Sequence, residues 1–369
     1  MIYRVELRDR DMNFAKILDN RVFNIAWGYD AVGGCSGFSF GADTRYCSEV
    51  DFGANFNVRI YRRNPDTLTY DLWYQGRIEV VTNNVTGKKE EISISGFGYQ
   101  SELNDVIVND SYTSDEISVI VKNVLDTYVT PNTNITYDSA DIEATGFTPD
   151  SLDFSYVSAK EIFQKLADIT GGIEWGVDKD RKFFFKAKST KANFFFPLGK
   201  QIQQFNLKSS SREIINRVIV IGGEVTGSKF VYTKDYAKNQ LKYKRRDKVI
   251  SNSAVTTNAV AEQLADAQQA LGDGVVDSGS MRLKREILIE ETVPIPLLKL
   301  LTREVTYDEK LYDTFLYAEP DPYRINRIKY NIDKRSQLTA TISVGENPPT
   351  IVENIKQLKF NIDQETQAR

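Results

Sequence analysis

The chain has 369 residues, with 47 Lys and Arg against 51 Asp and Glu and no His. Its 41% apolar and 27% charged residues suit a globular protein able to build real cores, so two or three domains of about 100–200 residues are expected. A net charge of −4 argues against a general nucleic-acid coat or a polybasic membrane binder, and the lack of histidine removes every Ser-His-Asp, Cys-His and His-ligated zinc arrangement.

Met1 to Arg10 alternates apolar and charged residues and lacks the apolar block of a signal peptide. No run approaches the roughly 18 apolar residues of a membrane span, so a protein made in a cytoplasm is expected. Cys35 and Cys47 are the only cysteines. They cannot form a four-cysteine zinc site; two unpaired thiols are expected over a single bridge. Ile2 to Arg8 reads as a strand, and Phe56, Val58 and Ile60 alternate with Asn57, Arg59 and Tyr61 as another. Asn64-Pro65-Asp66-Thr67 signals a turn into a strand over Leu68 to Val80, with Trp73, Tyr74 and Ile78. Asn83-Asn84-Val85-Thr86-Gly87 then reads as a turn into Glu90 to Ser95. The sum is an antiparallel meander, part of a barrel or sandwich.

The period changes after residue 100. Thr113-Ser114-Asp115-Glu116 reads as a capping box before a helix carrying Ile117, Ile120, Val121, Val124, Leu125 and Tyr128, stopped by Pro131. Ser158-Ala159-Lys160-Glu161 opens a second helix, with Ile162, Phe163, Leu166 and Ile169 on its apolar face and Gly171-Gly172 at its end. A hairpin follows, turning at Asp178-Lys179-Asp180. Ile214 to Ile221 is a dense β-branched run, ended by Gly222-Gly223. Lys242 to Ile250 is strongly basic, and a helix fits Asn258 to Leu271. Arg282 to Val293 reads as a strand, and Tyr323 to Tyr330 with Gln337 to Val344 as a last hairpin. After Pro348-Pro349, Ile351, Ile355, Leu358 and Ile362 fall on a heptad seam, in a helix of roughly 18 residues that is marginal alone in water. It needs a partner face, on its own chain or on copies of itself.

Chemistry-bearing motifs are thin. Gly33-Gly34-Cys35-Ser36-Gly37 fits a nucleophile elbow superficially, but no histidine exists to make the thiolate, and it reads as a glycine-rich loop. Gly96-Phe97-Gly98 lacks the third glycine of a dinucleotide loop and reads as a strand end. Asp178-Lys179-Asp180 lacks the later ligands of a calcium loop and reads as a hairpin turn. Phe183-Phe184-Phe185 and Phe194-Phe195-Phe196 read as buried strands rather than a membrane-touching tip. No spacing singles out a glycosidase pair among the 51 carboxylates. No catalytic, metal or cofactor residue is assigned.

The order of elements resembles the baseplate hub or tail-tip (tail-associated) proteins of tailed bacteriophages. Four stretches carry the resemblance. They are Leu72-Trp73-Tyr74-Gln75-Gly76-Arg77-Ile78 with Ile92 to Tyr99, Asp153 to Ala167 with Thr170 to Asp178, Ile215 to Gly223, and the Pro-Pro with its terminal helix. The resemblance implies a mainly β chain with two tail-tube-like antiparallel β-barrel domains, over 1–105 and 195–345. A small α+β domain over 106–194 and an oligomerisation helix over 346–369, carrying Ile351, Ile355, Leu358 and Ile362, complete it. It further implies a structural, non-enzymatic homotrimer in the virion tail, contacting a distal tail protein or tube ring, a tape measure protein and a tip or fibre protein. Viral DNA would pass through its lumen without specific binding, and no direct membrane binding is implied. Two other readings stay open: a receptor- or glycan-binding tail protein displaying Trp27, Trp73 and Trp175, and a cell-wall hydrolase acting through carboxylates.

Overall fold

The computed structural model describes residues 3–283, apart from 19–20, 46–51, 54–55, 64–66, 87–88, 189–191, 196–201, 212–213, 226, 253–254 and 273–275, and then 297–299, 323–333 and 337–345. The chain opens with β1 (Tyr3–Arg8), β2 (Phe14–Ile17), β3 (Val22–Asp30), β4 (Gly33–Asp43), β5 (Asn57–Arg63), β6 (Tyr70–Thr86) and β7 (Lys89–Phe97). A period of two drives these strands. On β5, Val58, Ile60 and Arg62 are buried while Arg59, Tyr61 and Arg63 are half-buried; on β7, Ile92 and Ile94 face inward between Glu91, Ser93 and Ser95.

A 3₁₀ turn (Tyr99–Asn104) leads to β8 (Ile107–Thr113), α1 (Ile117–Val124), a π-helical turn over Leu125–Val129, and β9 (Thr136–Ile142). Next come β10 (Ser151–Ser158), α2 (Ala159–Thr170), β11 (Ile173–Val177), β12 (Lys182–Ala187), β13 (Ala192–Phe195) and β14 (Ile202–Ser210). Then follow β15 (Arg217–Val225), β16 (Ser228–Asp235), α3 (Ala237–Tyr243), β17 (Asp247–Ser251) and α4 (Asn258–Leu271). The described chain ends with β18 (Val276–Leu283), β19 (Leu297–Lys299), β20 (Tyr323–Ile332) and β21 (Leu338–Gly345). The protein is mainly β.

One long sheet runs β14-β18-β21-β20-β3-β4-β7-β6-β5-β1-β2, antiparallel throughout. Its middle joins the two ends of the sequence, because β20 lies beside β3 from Arg327↔Asp30 to Ile332↔Ile25. Residues from the two expected barrel segments therefore share one sheet and one core, which draws on Val5, Trp27, Phe38, Ile60, Tyr74 and Ile94 and equally on Met281, Ile328, Tyr330 and Ile342. Trp27 stacks on Tyr330 at 5.3 Å between ring centroids, and Trp73 meets the same ring edge-on at 5.3 Å. Offset and edge-to-face pairs of this kind add about 0.5–1.5 kcal/mol each beyond the area they bury.

A second core lies over residues 99–185 and 218–265. There α2 buries Ile162, Phe163 and Leu166 fully, with Phe163 4.5 Å from Phe183 and 6.1 Å from Trp175. The small sheet β16-β15-β17 packs on the same core through Val218 and Val220 on β15 and Val260, Ala261 and Leu264 on α4.

Several local expectations hold. Ser158 caps α2, its side chain accepting from the Glu161 N–H, and Gly171 and Gly172 end that helix at φ +63° and +71°. Asp178 Oδ1 accepts from the Asp180 and Lys182 N–H groups in the β11–β12 turn, and α4 spans the residues read from periodicity. Phe183, Phe184 and Phe185 are buried, and β7 ends at Phe97.

Others are corrected. Gly33 to Gly37 is not a loop but the start of β4, paired with β3 and β7. Residues 83–86 continue β6 instead of turning, up to Thr86↔Lys89. β15 passes through Gly222 and Gly223 to Val225. Thr113 belongs to β8, and Glu116 caps α1. Of the strand expected over Arg282 to Val293, only its first two residues are described, as the end of β18; Cys47, the side chains of Phe194 and Phe195, Phe196, and the terminal helix lie outside the described residues.

Candidate functional site

Ile351, Ile355, Leu358 and Ile362 lie outside the described residues, so the structure neither brings them together nor separates them. Ile162 and Leu166, on the expected apolar face of the second helix, are core. The surfaces that could serve assembly are the two ends of the long sheet. At one end β14 pairs only with β18, leaving one side of a nine-residue strand without a neighbour among the described residues. At the other end β2 pairs only with β1 and exposes Phe14. Such edges offer rows of N–H and C=O groups to another strand. Sequence reasoning missed both, because an edge is defined by which distant strand is absent.

One Gly–Gly and one Val–Gly pair join the sheet to the second core. β11 runs parallel to β4 with Gly176↔Gly33 and Val177↔Gly34 in register. A Cβ on Gly34, at φ +79°, would sit 2.2 Å from the Val177 carbonyl oxygen, and one on Gly176 would sit 2.5 Å from the Gly33 carbonyl carbon. The glycines permit a backbone approach that any side chain would block. Their signal was in the sequence, but it looked like that of a loop.

A polar cleft of about 670 Å³ is lined by Arg10, Asn57, Arg77, Glu102, Tyr128 and Asn134 among others. Arg77 lies 2.8 Å from Glu79, 3.3 Å from Asp105 and 3.9 Å from Glu102. Burial pushes the Glu102 carboxyl up, opposed by the Asn134 N–H it accepts at 3.1 Å and by Arg77. A hydrolytic carboxylate pair needs two acids facing each other across a substrate. Here three acids converge on one cation instead, which pins the 3₁₀ turn to β6. Tyr99 Oη extends the tie by donating to Asn57 Oδ1 at 2.6 Å, and Asn57 Nδ2 donates to the Asp9 carbonyl at 2.7 Å.

The aromatic display fails. Trp27 and Trp175 are 1% exposed and Trp73 is 8%, so none forms a platform for a sugar. Cys35 is fully buried and burial pushes its thiol up, opposite to the depressed value a nucleophile needs. Among the described residues, no group of three or more His, Cys, Asp or Glu could hold a metal, and no helix is long and apolar enough to cross a membrane.

No protein-family model and no curated protein sequence matches the chain. Solved structures do. The 43 kDa tail protein of prophage MuSo2 from Shewanella oneidensis matches with a TM-score of 0.64 at 14% identity, covering 93% of this chain and 98% of that one. The prophage tail protein gp18 from Listeria monocytogenes gives a TM-score of 0.62 at 15% identity, over 98% and 99% of the two chains. A tail protein from Neisseria meningitidis gives 0.61 at 10% identity, over 94% and 97%. The chain shares its fold with these tail proteins.

Proposed function

We propose that this chain is a structural protein of a phage tail, located in the virion, and acts as a trimeric baseplate hub joining the tail tube to the tail tip. The observation that carries the reading is the fold shared with two prophage tail proteins and a third tail protein over at least 93% of this chain. In this reading residues 1–105 and 195–345 supply two tube-type barrel domains, 106–194 the inserted α+β domain and 346–369 the assembly helix. Three copies place six such domains in a ring, matching a sixfold tube above and a threefold tip below. The open ends at β14 and β2 support it, since a ring of copies satisfies edges that would otherwise recruit strands at random. The partners are a distal tail or tube ring, a tape measure protein and a tip or fibre protein, and DNA leaves through the lumen. Size-exclusion chromatography with light scattering tests the reading. A mass of three times 42.0 kDa is expected, and a monomer at every concentration overturns it.

A further inference from the structure

Charge is segregated along this chain. Residues 228–251 hold eight Lys and Arg against two Asp, a net +6 in a protein whose total is −4. Residues 101–153 hold eleven Asp and Glu against Lys122 alone, a net −10. The basic segment forms one lobe: β16, α3 and β17 around the start of β15. Its cations divide into two sets. Lys234 is held by Glu262 and Asp266, Arg217 by Asp235, and Arg245 by Asp247. Lys229, Lys238, Lys242, Lys244, Arg246 and Lys248 are exposed, and none has an ion-pair partner among the described residues.

The lobe is rigidly built. Buried Asn216 donates to the Lys244 carbonyl and accepts from the Arg246 N–H at 2.6 Å, while its own carbonyl accepts from Tyr236 N and Gln240 Nε2, each at 3.0 Å. No residue of α3 is buried, and Leu241 at its middle is 85% exposed. On the acidic side Asp138 on β9, Glu143 after it and Asp153 on β10 are exposed and likewise without ion pairs among the described residues. No ion pair joins the acidic and basic segments within the subunit among the described residues.

We infer that copies of this chain dock head to tail, the basic lobe over 228–251 of one copy meeting the acidic segment over 101–153 of the next through exposed carboxylates such as Asp138, Glu143 and Asp153. The inference rests on the ring reading above and names the contact that would build it. Opposite patches at different places on one molecule make a heterologous contact, which closes into a ring when its rotation permits. Complementary potentials steer such encounters and fix their register. A second copy suits the lobe better than a nucleic acid does. The acidic segment is present at the same concentration as the lobe, and exposed Leu241 offers an apolar contact that a phosphate backbone would not use.

Sedimentation velocity on the full chain, at low and high salt, tests this. The variants are Lys238→Glu with Lys242→Glu and Lys244→Glu, Asp138→Lys with Asp153→Lys, and both sets in one chain, each checked for folding by circular dichroism. Wild type is expected to assemble and to weaken with salt. Each set alone should weaken assembly by roughly tenfold or more, and the two together should restore it. Assembly indifferent to salt and to either reversal overturns the inference and leaves the ring reading standing; so does failure of the combined chain to recover. A wild type that is monomeric throughout overturns both. Labelled duplex DNA binding wild type, released by the lysine reversals while assembly stays unchanged, overturns it in favour of a polyanion surface.

Discussion

Single residues decide where the two cores can meet. Gly34 and Gly176 allow β4 and β11 to pair side by side with no room for a Cβ between them. Gly34→Ala places a methyl 2.2 Å from a carbonyl oxygen and forces a positive φ on alanine, so neither the side chain nor the backbone can relax cheaply. A loss of about 3 kcal/mol or more in urea unfolding is expected, whereas Gly146→Ala, where no atom lies within 4 Å, should cost only the smaller price of its positive φ. Glu116 works by a different route. Its Oε2 accepts from the Ser118 N–H and hydroxyl, and its Oε1 accepts from Thr145 N at 2.7 Å, Thr145 Oγ1 at 2.6 Å and Gly146 N at 3.1 Å. Partial burial pushes this carboxyl up, but the bonds from Ser118 and Thr145 outweigh it and hold it below its ordinary value. A depressed acid stabilises the fold above its unfolded pKa and stops doing so as pH falls through the folded one. Glu116→Ala should therefore cost about 1–2 kcal/mol at neutral pH and much less in acid, read from urea midpoints across that window.

At the scale of elements, the legible pieces are those whose signals are local. α2 carried its Ser158 cap, its apolar spacing and its Gly171-Gly172 stop within 15 residues of sequence, and all three hold. The β11–β12 and β20–β21 hairpins announced themselves by alternation around polar turns. β3 and β4 did not. Glycines at 28, 33, 34, 37 and 41 hid a pair of central strands, because each glycine answers to a close neighbour that sequence does not display: Gly28 to Ser36, Gly41 to Phe23, Gly34 to Val177. The α1 cap was misplaced by three residues because Thr113 and Glu116 both suit an N-terminus, and pairing of Thr113 with Ser151 took it into β8. α3 escaped notice because it buries nothing and so has no apolar stripe. Asn216 ties the N-terminal turn of α3 and the link after it to β15. Asn216→Ala removes both side-chain bonds to the 244–246 link, leaving a buried site without them. A loss of about 2–3 kcal/mol is expected, together with faster amide exchange in α3 and β17 than in α2. Equal exchange in all three would show that the link is held by something else.

For the whole molecule, the central fact is that the sheet joins early and late segments of the chain at its middle and stays open at both edges among the described residues. Asp30 and Arg327, 297 residues apart, share an ion pair in the middle of the sheet, and β20 and β3 bury Tyr330 against Trp27 beside it. Pairing at such separation leaves no trace in a local pattern, which is why the mainly β class was readable while the shared core was not. The proposed assembly helix is legible only as chemistry: a heptad seam at Ile351, Ile355, Leu358 and Ile362 that needs a partner face. A helix that short gains little from propensity and depends on burying its seam. If three seams meet on an axis instead of packing on their own subunit, removing residues 348–369 is expected to leave the described sheet and cores folded. The truncated chain should then keep its thermal midpoint as a monomer and yet lose trimer, by about tenfold or more in dissociation constant, in analytical ultracentrifugation. If the helix instead docks on its own subunit, the order reverses: the midpoint falls at a concentration too low for any assembly, and the trimer that remains at high concentration is unchanged. Attachment of the next tip component separates the cases further, since only helices on a shared axis present a threefold end for it to cap.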